Sequence, residues 1–340
     1  MILRITGNIA KQRISIKPIY AFLANKKFAC RVLNGDSLSN LTIHCDLTVS
    51  CNCNDRFGFG RMGSLENQGL REIFFGERAN YFRKKIASGK FPIVNCSQCS
   101  DLIFIDKKNV KKSIDYSKFP EALMIENTAN CNLSCLWCDR ERIFSLRKKR
   151  FISLEEIKKI SVELKTNKIK LIHYFAEGEP FLSDNIRDEL EIIKKDNPEI
   201  RIVTSTNGTL INMQDKIEAA LLLNRIVFSI DGSNQDSYQK YRKGGSFYQA
   251  YNNMKNLVVL RNRLKKTEPK IIWKYILFKW NDSKKNIEEA IMLAKDAQVD
   301  EIFFEKTLRP PYGISYKSYL GIGYINKISK FDGRIARIKL

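Results

Sequence analysis

The sequence is poor in histidine, in acidic residues and in long apolar runs. Among 340 residues there are two histidines, and 37 acidic residues stand against 59 basic ones. No apolar run approaches the roughly 20 residues that span a bilayer, so no membrane span is expected. Charges interrupt every short apolar stretch of residues 1–27, which does not fit a secretory signal.

The two histidines, His44 and His173, both lie within strand-like patterns. We therefore expect each to be packed or hydrogen-bonded rather than to bind a metal. His173 is near the end of a predicted strand, which leaves open a place at the mouth of an active site.

The shortage of acidic residues gives a formal net charge of +22. Such an excess favours a polyanionic partner, such as nucleic acid, anionic lipid or a phosphorylated substrate. The chain is also rich in Lys, Ile and Asn together, a compositional bias that places lysine on solvated surfaces. An anionic partner and this compositional bias are therefore two alternative explanations of the net charge.

The nine cysteines are clustered as C-x-C, C-x2-C and C-x3-C-x2-C rather than spread along the chain. In a long chain without a secretory signal, this clustering favours metal binding in a reducing compartment over disulfides. We therefore expect a cytoplasmic protein.

Residues 119–307 alternate strand-like and helix-like segments in six units, of which the last lacks its helix. One helix is predicted to begin at Ser153, because Glu156 completes a capping box with it. The alternation predicts an α/β domain with a parallel sheet, a partial (β/α)6 TIM-like barrel. In such folds the chemistry lies at the C-terminal ends of the strands.

The rest of the chain has a different pattern. Residues 1–118 predict a small α+β domain: LTIHCDLTVSC (41–51) is typical of a half-buried strand, and a Gly-rich turn leads to helices interrupted at Gly76. Residues 308–340 form a C-terminal extension without a clear pattern. We expect it to cover the open edge of the barrel, because an exposed edge strand invites aggregation.

Three cysteines, Cys131, Cys135 and Cys138, follow the first strand of the alternating region. A 4Fe-4S cube normally takes four thiolates, so three would leave one iron open to another molecule. A zinc site with a distant fourth ligand and unligated loop cysteines are the alternatives.

The stretch CNLSCLWC resembles the C-x3-C-x-aromatic-C motif of the radical S-adenosylmethionine (radical SAM) enzymes. The resemblance implies that the open iron binds S-adenosylmethionine through its amino and carboxylate groups. Reductive cleavage then gives a 5′-deoxyadenosyl radical that abstracts hydrogen from a substrate. It also implies a one-electron donor such as flavodoxin or ferredoxin. The substrate is expected to be a peptide or protein side chain, or an anionic sugar-type or lipid intermediate.

Further landmarks of that family follow in order. Glu177-Gly178-Glu179-Pro180 resembles the GGEP motif that supports the methionine amino group, with Glu177 in place of the first glycine. The resemblance implies cofactor contacts from Gly178, Glu179, Pro180, Trp137, Ser205, Asn207, Ser229, Asp231, Arg242 and Asn281. Loop packing for Trp137, a surface charge at a helix end for Arg242 and an N-cap for Asn281 are the alternatives.

The N-terminal cysteines surround the predicted strand, turn and helices and resemble the SPASM domain, which carries auxiliary 4Fe-4S clusters. Two departures are the position before the barrel and at most six cysteines instead of seven, so we expect one auxiliary cluster. Its predicted ligands are Cys30, Cys51, Cys96 and Cys99. Cys53 could replace Cys51, Cys45 is expected to pack in the core or be spare, and zinc is the alternative metal.

A different class of function is a basic zinc-binding module that recognises RNA. The positive charge and the cysteine clusters would serve it. We find no pattern of an RNA-binding fold such as a KH loop or an aromatic RNP run.

Overall fold

A computed structural model describes residues 26–37, 40–52, 55–109 and 115–340. The described residues divide into two compact units, one formed by residues 26–42 and 48–122 and the other by 43–47 and 123–340. The predicted boundary after residue 118 lies close to this division, whereas the inclusion of 43–47 in the second unit was not expected. Among the described helices, none has the length and apolarity needed to cross a membrane.

The first unit mixes strands and helices. Its elements are β1 (Lys26–Cys30), β2 (Asn40–Ile43), β3 (Thr48–Asn52), β4 (Arg61–Ser64), α1 (Leu70–Phe75), α2 (Glu77–Ala87), a 3-10 turn (Val94–Ser97), β5 (Leu102–Asp106) and a second 3-10 turn (Lys107–Asn109). Antiparallel pairs join β1 to β5 and β3 to β4. The break predicted at Gly76 separates α1 from α2.

The single strand predicted for residues 41–51 is wrong, because the chain turns between β2 and β3. Leu47 has a left-handed backbone with φ of 62°, and its N–H donates to the carbonyl of His44. A leucine rarely adopts this conformation, so the alternating pattern gave no sign of the turn.

The second unit contains the strand–helix alternation. Its elements are β6 (Ala122–Ile125, whose first residue belongs to the first unit), α3 (Arg140–Leu146), α4 (Leu154–Thr166), β7 (Leu171–His173), a 3-10 turn (Pro180–Leu182), α5 (Ile186–Asp196), β8 (Arg201–Thr206), α6 (Gln214–Leu221), β9 (Arg225–Ser229), α7 (Gln235–Gln239), α8 (Phe247–Arg263), β10 (Lys270–Leu277), α9 (Lys284–Asp296), β11 (Glu301–Lys306), a 3-10 turn (Pro311–Gly313), α10 (Tyr316–Tyr319), α11 (Tyr324–Ile328), β12 (Phe331–Asp332) and β13 (Ile335–Lys339).

Strands β6 to β11 are neighbours in sequence order, as the alternation predicts. The successive pairs from β7 to β11 are parallel. Their C-terminal ends therefore meet at one edge of the sheet. The extension after residue 307 supplies β13, which pairs antiparallel with β11 and covers that strand as expected.

The helices bury the apolar faces that their sequences predict. In α4, Ser153 accepts from the N–H of Glu156, whose carboxylate in turn accepts from the N–H of Ser153, which confirms the capping box. The apolar side chains of Ile157, Ile160 and Leu164 recur at helical spacing and are buried.

An ion pair joins the two ends of segment 127–146, which carries the three-cysteine loop. The Arg147 guanidinium donates from Nε to Glu126 Oε1 at 2.7 Å and from Nη2 to Oε2 at 3.2 Å. Its Nη2 also donates to Nδ1 of His44 at 2.7 Å, so His44 is buried and hydrogen-bonded as expected. Although burial by itself raises the pKa of Glu126, His44 and Arg147 lower it to about 2.

Backbone hydrogen bonds reinforce this closure. The N–H of Ala129 donates to the carbonyl of Arg150 at 3.0 Å, and the N–H of Ile152 donates to that of Asn127 at 2.9 Å. The cysteine loop thus follows β6, and backbone hydrogen bonds join the residues before the loop to those after it.

We predict that Glu126→Gln lowers the free energy of unfolding by about 3–5 kcal/mol at pH 7, because it removes the buried carboxylate that pairs with the Arg147 guanidinium. Urea unfolding followed by tryptophan fluorescence measures this, since the three tryptophans, Trp137, Trp273 and Trp280, all lie in the second unit. In the wild type, the ionised Glu126 carboxylate stabilises the folded state at pH values above the pKa of a glutamate in the unfolded chain. This stabilisation is lost as pH falls towards 2.

The matched control is Glu155→Gln, which removes the exposed partner of Lys158. We expect no measurable loss there, because exposed ion pairs contribute little. Equal stability of the two variants would contradict a central role for the buried pair.

Candidate functional site

The three-cysteine loop follows β6 and is held by the residue that begins α3. Arg140 Nη1 donates to the carbonyls of Cys131 and Leu133 at 3.1 and 2.8 Å. Cys131 and Cys135 are half-buried, and Cys138 is exposed. Sequence reasoning missed Arg140, although a basic residue two positions after the last cysteine of the motif is visible in the sequence.

Trp137 lies inside the loop with a left-handed backbone, φ of 72°, which costs roughly 1–3 kcal/mol for a residue other than glycine. Its side chain is 45% exposed. It is therefore not packed into the core, and its predicted place near an adenine stays a prediction.

The Gly178–Glu179 segment packs directly on the start of the cysteine loop. The N–H of Glu179 donates to the carbonyl of Asn130 at 2.7 Å. A Cβ added to Gly178 would lie 2.1 Å from the Thr128 carbonyl oxygen and 2.8 Å from that of Asn130. Only glycine allows this approach of two backbones.

The Glu179 carboxylate is buried and joins the loop after β7 to the end of β8. It accepts from Thr206 Oγ1 and from the N–H of Asn207, both at 2.7 Å, and from the N–H of Phe181 at 3.2 Å. Burial raises its pKa. Pro180 is buried at the start of the 3-10 turn that follows. The predicted contact of Glu179 with an amino group stays a prediction.

The end of β8 is also bonded to the cysteine loop through a residue that sequence reasoning missed. Asn207 Nδ2 donates to Asn132 Oδ1 at 2.8 Å, and Asn132 Nδ2 donates to Thr209 Oγ1 at 2.9 Å. Beside them, the hydroxyls of Ser205 and Ser229 lie 3.2 Å apart at the ends of β8 and β9. The structure therefore brings these predicted residues together.

Arg242 connects the segment after β9 to the same loop. Its Nε donates to Asp231 Oδ2 at 2.6 Å, and its Nη1 lies 3.6 Å from Cys135 Sγ. The Arg242 side chain is 14% exposed, which excludes the alternative of a surface charge. Backbone N–H groups of Ser134 and Leu136 donate to carbonyls of the segment 241–243.

Asn281 is fully buried and bonded to backbone. Its Nδ2 donates to the carbonyls of Asp231 and Ile276, and its Oδ1 accepts from the N–H of Phe278. The N-cap alternative is wrong, because Ser283 caps α9. A contact of Asn281 with a ribose stays a prediction.

The residues around the loop fit an iron–sulfur cluster with a polar ligand. Burial raises the pKa of the Cys131 thiol to about 11, so a thiolate there needs a cation such as iron. The Tyr238 hydroxyl, whose pKa burial raises, is buried without a hydrogen-bond partner among the described residues. Such a group can bond a bound molecule.

In the first unit, four predicted cysteines line one cavity: Cys30, Cys51, Cys96 and Cys99. Asp55 also lines it and is fixed by the N–H of Gly60 at 2.6 Å. Asn52 Nδ2 lies 3.5 Å from Cys99 Sγ. The structure thus brings these cysteines together from β1, from β3, and from the 3-10 turn and the connection that precede β5.

Cys45, the other N-terminal cysteine that the structure describes, does not line this cavity. Cys53 lies outside the described residues. Cys45 is buried in the second unit, with Sγ 3.1 Å from the Lys149 carbonyl oxygen, as expected for a packed cysteine.

Burial raises the pKa of Cys30 to about 12 and that of Cys96 to about 11. Across the described residues, no three Cys, His, Asp or Glu side chains converge closely enough to share a single metal ion. A four-iron cube binds each thiolate at a different iron and so accepts a wider arrangement.

Comparison with known proteins matches residues 125–263 to the family model of the Radical SAM superfamily. A probable GTP 3',8-cyclase of Methanocaldococcus jannaschii is 33% identical over 141 residues, which are 40% of this chain and 45% of that protein. The GTP 3',8-cyclase of Peptoclostridium acidaminophilum is 26% identical over 56% of each chain. The chain spans about half the length of these relatives.

Among solved structures, TYW1 with a lysine-pyruvate adduct bound is similar, with a TM-score of 0.44, 16% identity and coverage of 64% of this chain and 78% of that one. The family match supports the radical SAM resemblance of the sequence. The matched residues contain the cysteine loop and the predicted cofactor contacts up to Arg242. They do not include Asn281 or the first unit.

We predict that Gly178→Ala lowers the stability of the second unit by about 1–3 kcal/mol or more, because its methyl group would overlap the Thr128 carbonyl. It should also lower the iron content of the reconstituted protein, since the cysteine loop would be displaced. Tryptophan fluorescence in urea and iron analysis measure the two effects.

Gly333→Ala is the control, because a Cβ there meets no atom within 4 Å and only the left-handed backbone, φ of 58°, opposes it. We expect a loss of about 1 kcal/mol and full iron content. If both variants retain the same iron, the close approach at Gly178 does not position the loop.

Proposed function

We propose that this chain is a radical SAM enzyme that binds a 4Fe-4S cluster at Cys131, Cys135 and Cys138 and S-adenosylmethionine at the open iron. One observation carries the proposal: the cysteine loop is hydrogen-bonded to the segments that follow β7, β8 and β9. These contacts come from the N–H of Glu179, the amide of Asn207 and the carbonyls of the segment 241–243. The loop therefore lies where parallel-sheet enzymes place their chemistry.

When bound, the cluster and cofactor supply a 5′-deoxyadenosyl radical that abstracts hydrogen from a substrate. The chain's own residues hold the cysteine loop in place. Arg140 and Asn132 fix the loop, Gly178 permits close backbone approach, and the buried Tyr238 hydroxyl offers an unused hydrogen bond. The electron must come from an external donor, for which we propose a flavodoxin or ferredoxin.

We further propose that the first unit is a SPASM-like domain with one auxiliary 4Fe-4S cluster. Support comes from the cavity shared by its four cysteines and from the order of strands, glycine turn and helices around it. Four cysteines would ligate all four irons, which favours electron transfer over substrate binding as the role of this cluster.

For the substrate, we propose an anionic molecule of the sugar or nucleotide type rather than a peptide side chain. The net charge of +22 favours an anion. The relatives named GTP 3',8-cyclase act, by that name, on a nucleoside triphosphate. The match spans only about half of each protein, so GTP itself is not assigned to this chain.

We expect anaerobic reconstitution with iron and sulfide to give about eight irons per chain. The reconstituted protein should release 5′-deoxyadenosine from S-adenosylmethionine when dithionite is added. The triple change of Cys131, Cys135 and Cys138 to Ala should remove about half of the iron and abolish the product. Cleavage that survives this change would refute the site.

Bound zinc without cofactor cleavage would instead support the zinc-binding RNA module. In that case RNA binding should weaken steeply as salt rises, because phosphate contacts release counterions.

The auxiliary cluster is tested by paired cysteine variants. Cys30→Ala should lower iron content by up to about four per chain, because it removes a ligand from the shared cavity. Cys45→Ala, which alters a packed cysteine of the second unit, should leave the iron content unchanged. Unchanged iron in Cys30→Ala would contradict the auxiliary site. Comparison of Cys51→Ala with Cys53→Ala then decides which of the two is the ligand.

A further inference from the structure

Arg242 lies between an acidic side chain and a thiol of the cysteine loop. Its Nε donates to Asp231 Oδ2 at 2.6 Å, and its Nη1 is within hydrogen-bond distance of Cys135 Sγ at 3.6 Å. The Asp231 carboxylate is itself fixed, because its Oδ1 accepts from the N–H of Ile276 at 2.7 Å. The guanidinium is therefore held at the sulfur by a rigid partner.

We propose that Arg242 is a positioning residue that donates a hydrogen bond to the Cys135 thiolate and raises the reduction potential of the cluster on the three-cysteine loop, with Asp231 limiting that rise. This inference rests on the proposed function. It differs from the expected role of Arg242, a contact with the methionine carboxylate, because it rests on the two contacts that the guanidinium makes within the protein.

The physical reason is electrostatic. One-electron reduction by an external donor makes the cluster more negative, and a fixed cation beside a ligating sulfur stabilises that state. Both side chains are largely withdrawn from water, Arg242 at 14% and Asp231 at 0% exposure, so solvent screens their charges little. Arg242 stays charged, because a guanidinium group does not lose its proton in proteins.

The two tyrosines beside Arg242 do not replace its charge. The Tyr241 ring lies 5.4 Å from the Arg242 guanidinium carbon, and the Tyr238 hydroxyl is buried close by. Burial raises the pKa of both phenols, so both are neutral near pH 7. Arg242 and Asp231 thus carry opposite charges. Removing one or the other should shift the reduction potential of the loop cluster in opposite directions.

The experiment is an anaerobic redox titration of the full-length reconstituted protein without S-adenosylmethionine, followed by electron paramagnetic resonance. Dithionite supplies the electrons. The signal of the auxiliary cluster is subtracted with the spectrum of the variant in which Cys131, Cys135 and Cys138 are Ala. The variants are Arg242→Gln, Arg242→Lys and Asp231→Asn, and iron content is measured for each.

We expect Arg242→Gln to shift the midpoint potential of the loop cluster to a more negative value and Asp231→Asn to shift it to a more positive one. Arg242→Lys keeps the charge and should lie between Arg242→Gln and wild type. Arg337→Gln is the charge-matched control and should cause no shift, because Arg337 pairs with Glu301 at the start of β11, opposite the C-terminal end that carries the site.

Shifts of the same sign in Arg242→Gln and Asp231→Asn, or no shift in either, would overturn the proposal, because general damage to the site has no reason to reverse sign. If Arg242→Gln fails to bind iron, the test compares Arg242→Lys with Asp231→Asn. Arg242→Lys should then shift the midpoint potential to a more negative value and Asp231→Asn to a more positive one. A wild-type protein without a cluster on the three-cysteine loop would instead refute the proposed function.

Discussion

The structure of the site depends on the buried ion pair between Glu126 and Arg147. These two residues flank the segment that carries the cysteine loop, and backbone hydrogen bonds join residues 127–129 to residues 150–152. A loop of more than a dozen residues would otherwise sample many conformations at considerable cost in entropy. Closing its base restricts the three cysteines to the region beside the strand ends.

The arrangement around the loop relies mainly on backbone and amide groups. The N–H of Glu179, the amides of Asn132 and Asn207 and the carbonyls after α7 all bond to the loop or to its immediate neighbours. The carboxylates of Glu179 and Asp231 have partners within the protein. Much of the machinery that positions the site therefore lies in residues that carry no catalytic chemistry of their own.

The two cysteine groups differ in what surrounds them. The group in the first unit lines a cavity together with apolar residues such as Leu33, Phe82 and Leu102. The loop in the second unit leaves Cys138 exposed and has the polar side chains of Asn207 and Arg242 bonded to it. This contrast agrees with the proposed division of labour, in which one cluster transfers electrons and the other binds a cofactor.

Much of the fold could be predicted because its signals are local. The six strands, the capping box at Ser153 and the break at Gly76 follow from hydrophobic periodicity and from the chemistry of caps and turns. The turn at Leu47 could not be predicted, because its conformation is unusual for leucine and tertiary contacts must impose it.

For the site, the sequence by itself determined which residue types and spacings are present: three thiols on one loop, a glycine–glutamate turn and a cysteine-rich N-terminal region. Only the tertiary structure decided their partners. It placed Arg242 beside Cys135, turned Asn281 into the core and joined Asn132 to the end of β8. These choices depend on the packing of segments distant in sequence, which no local pattern encodes.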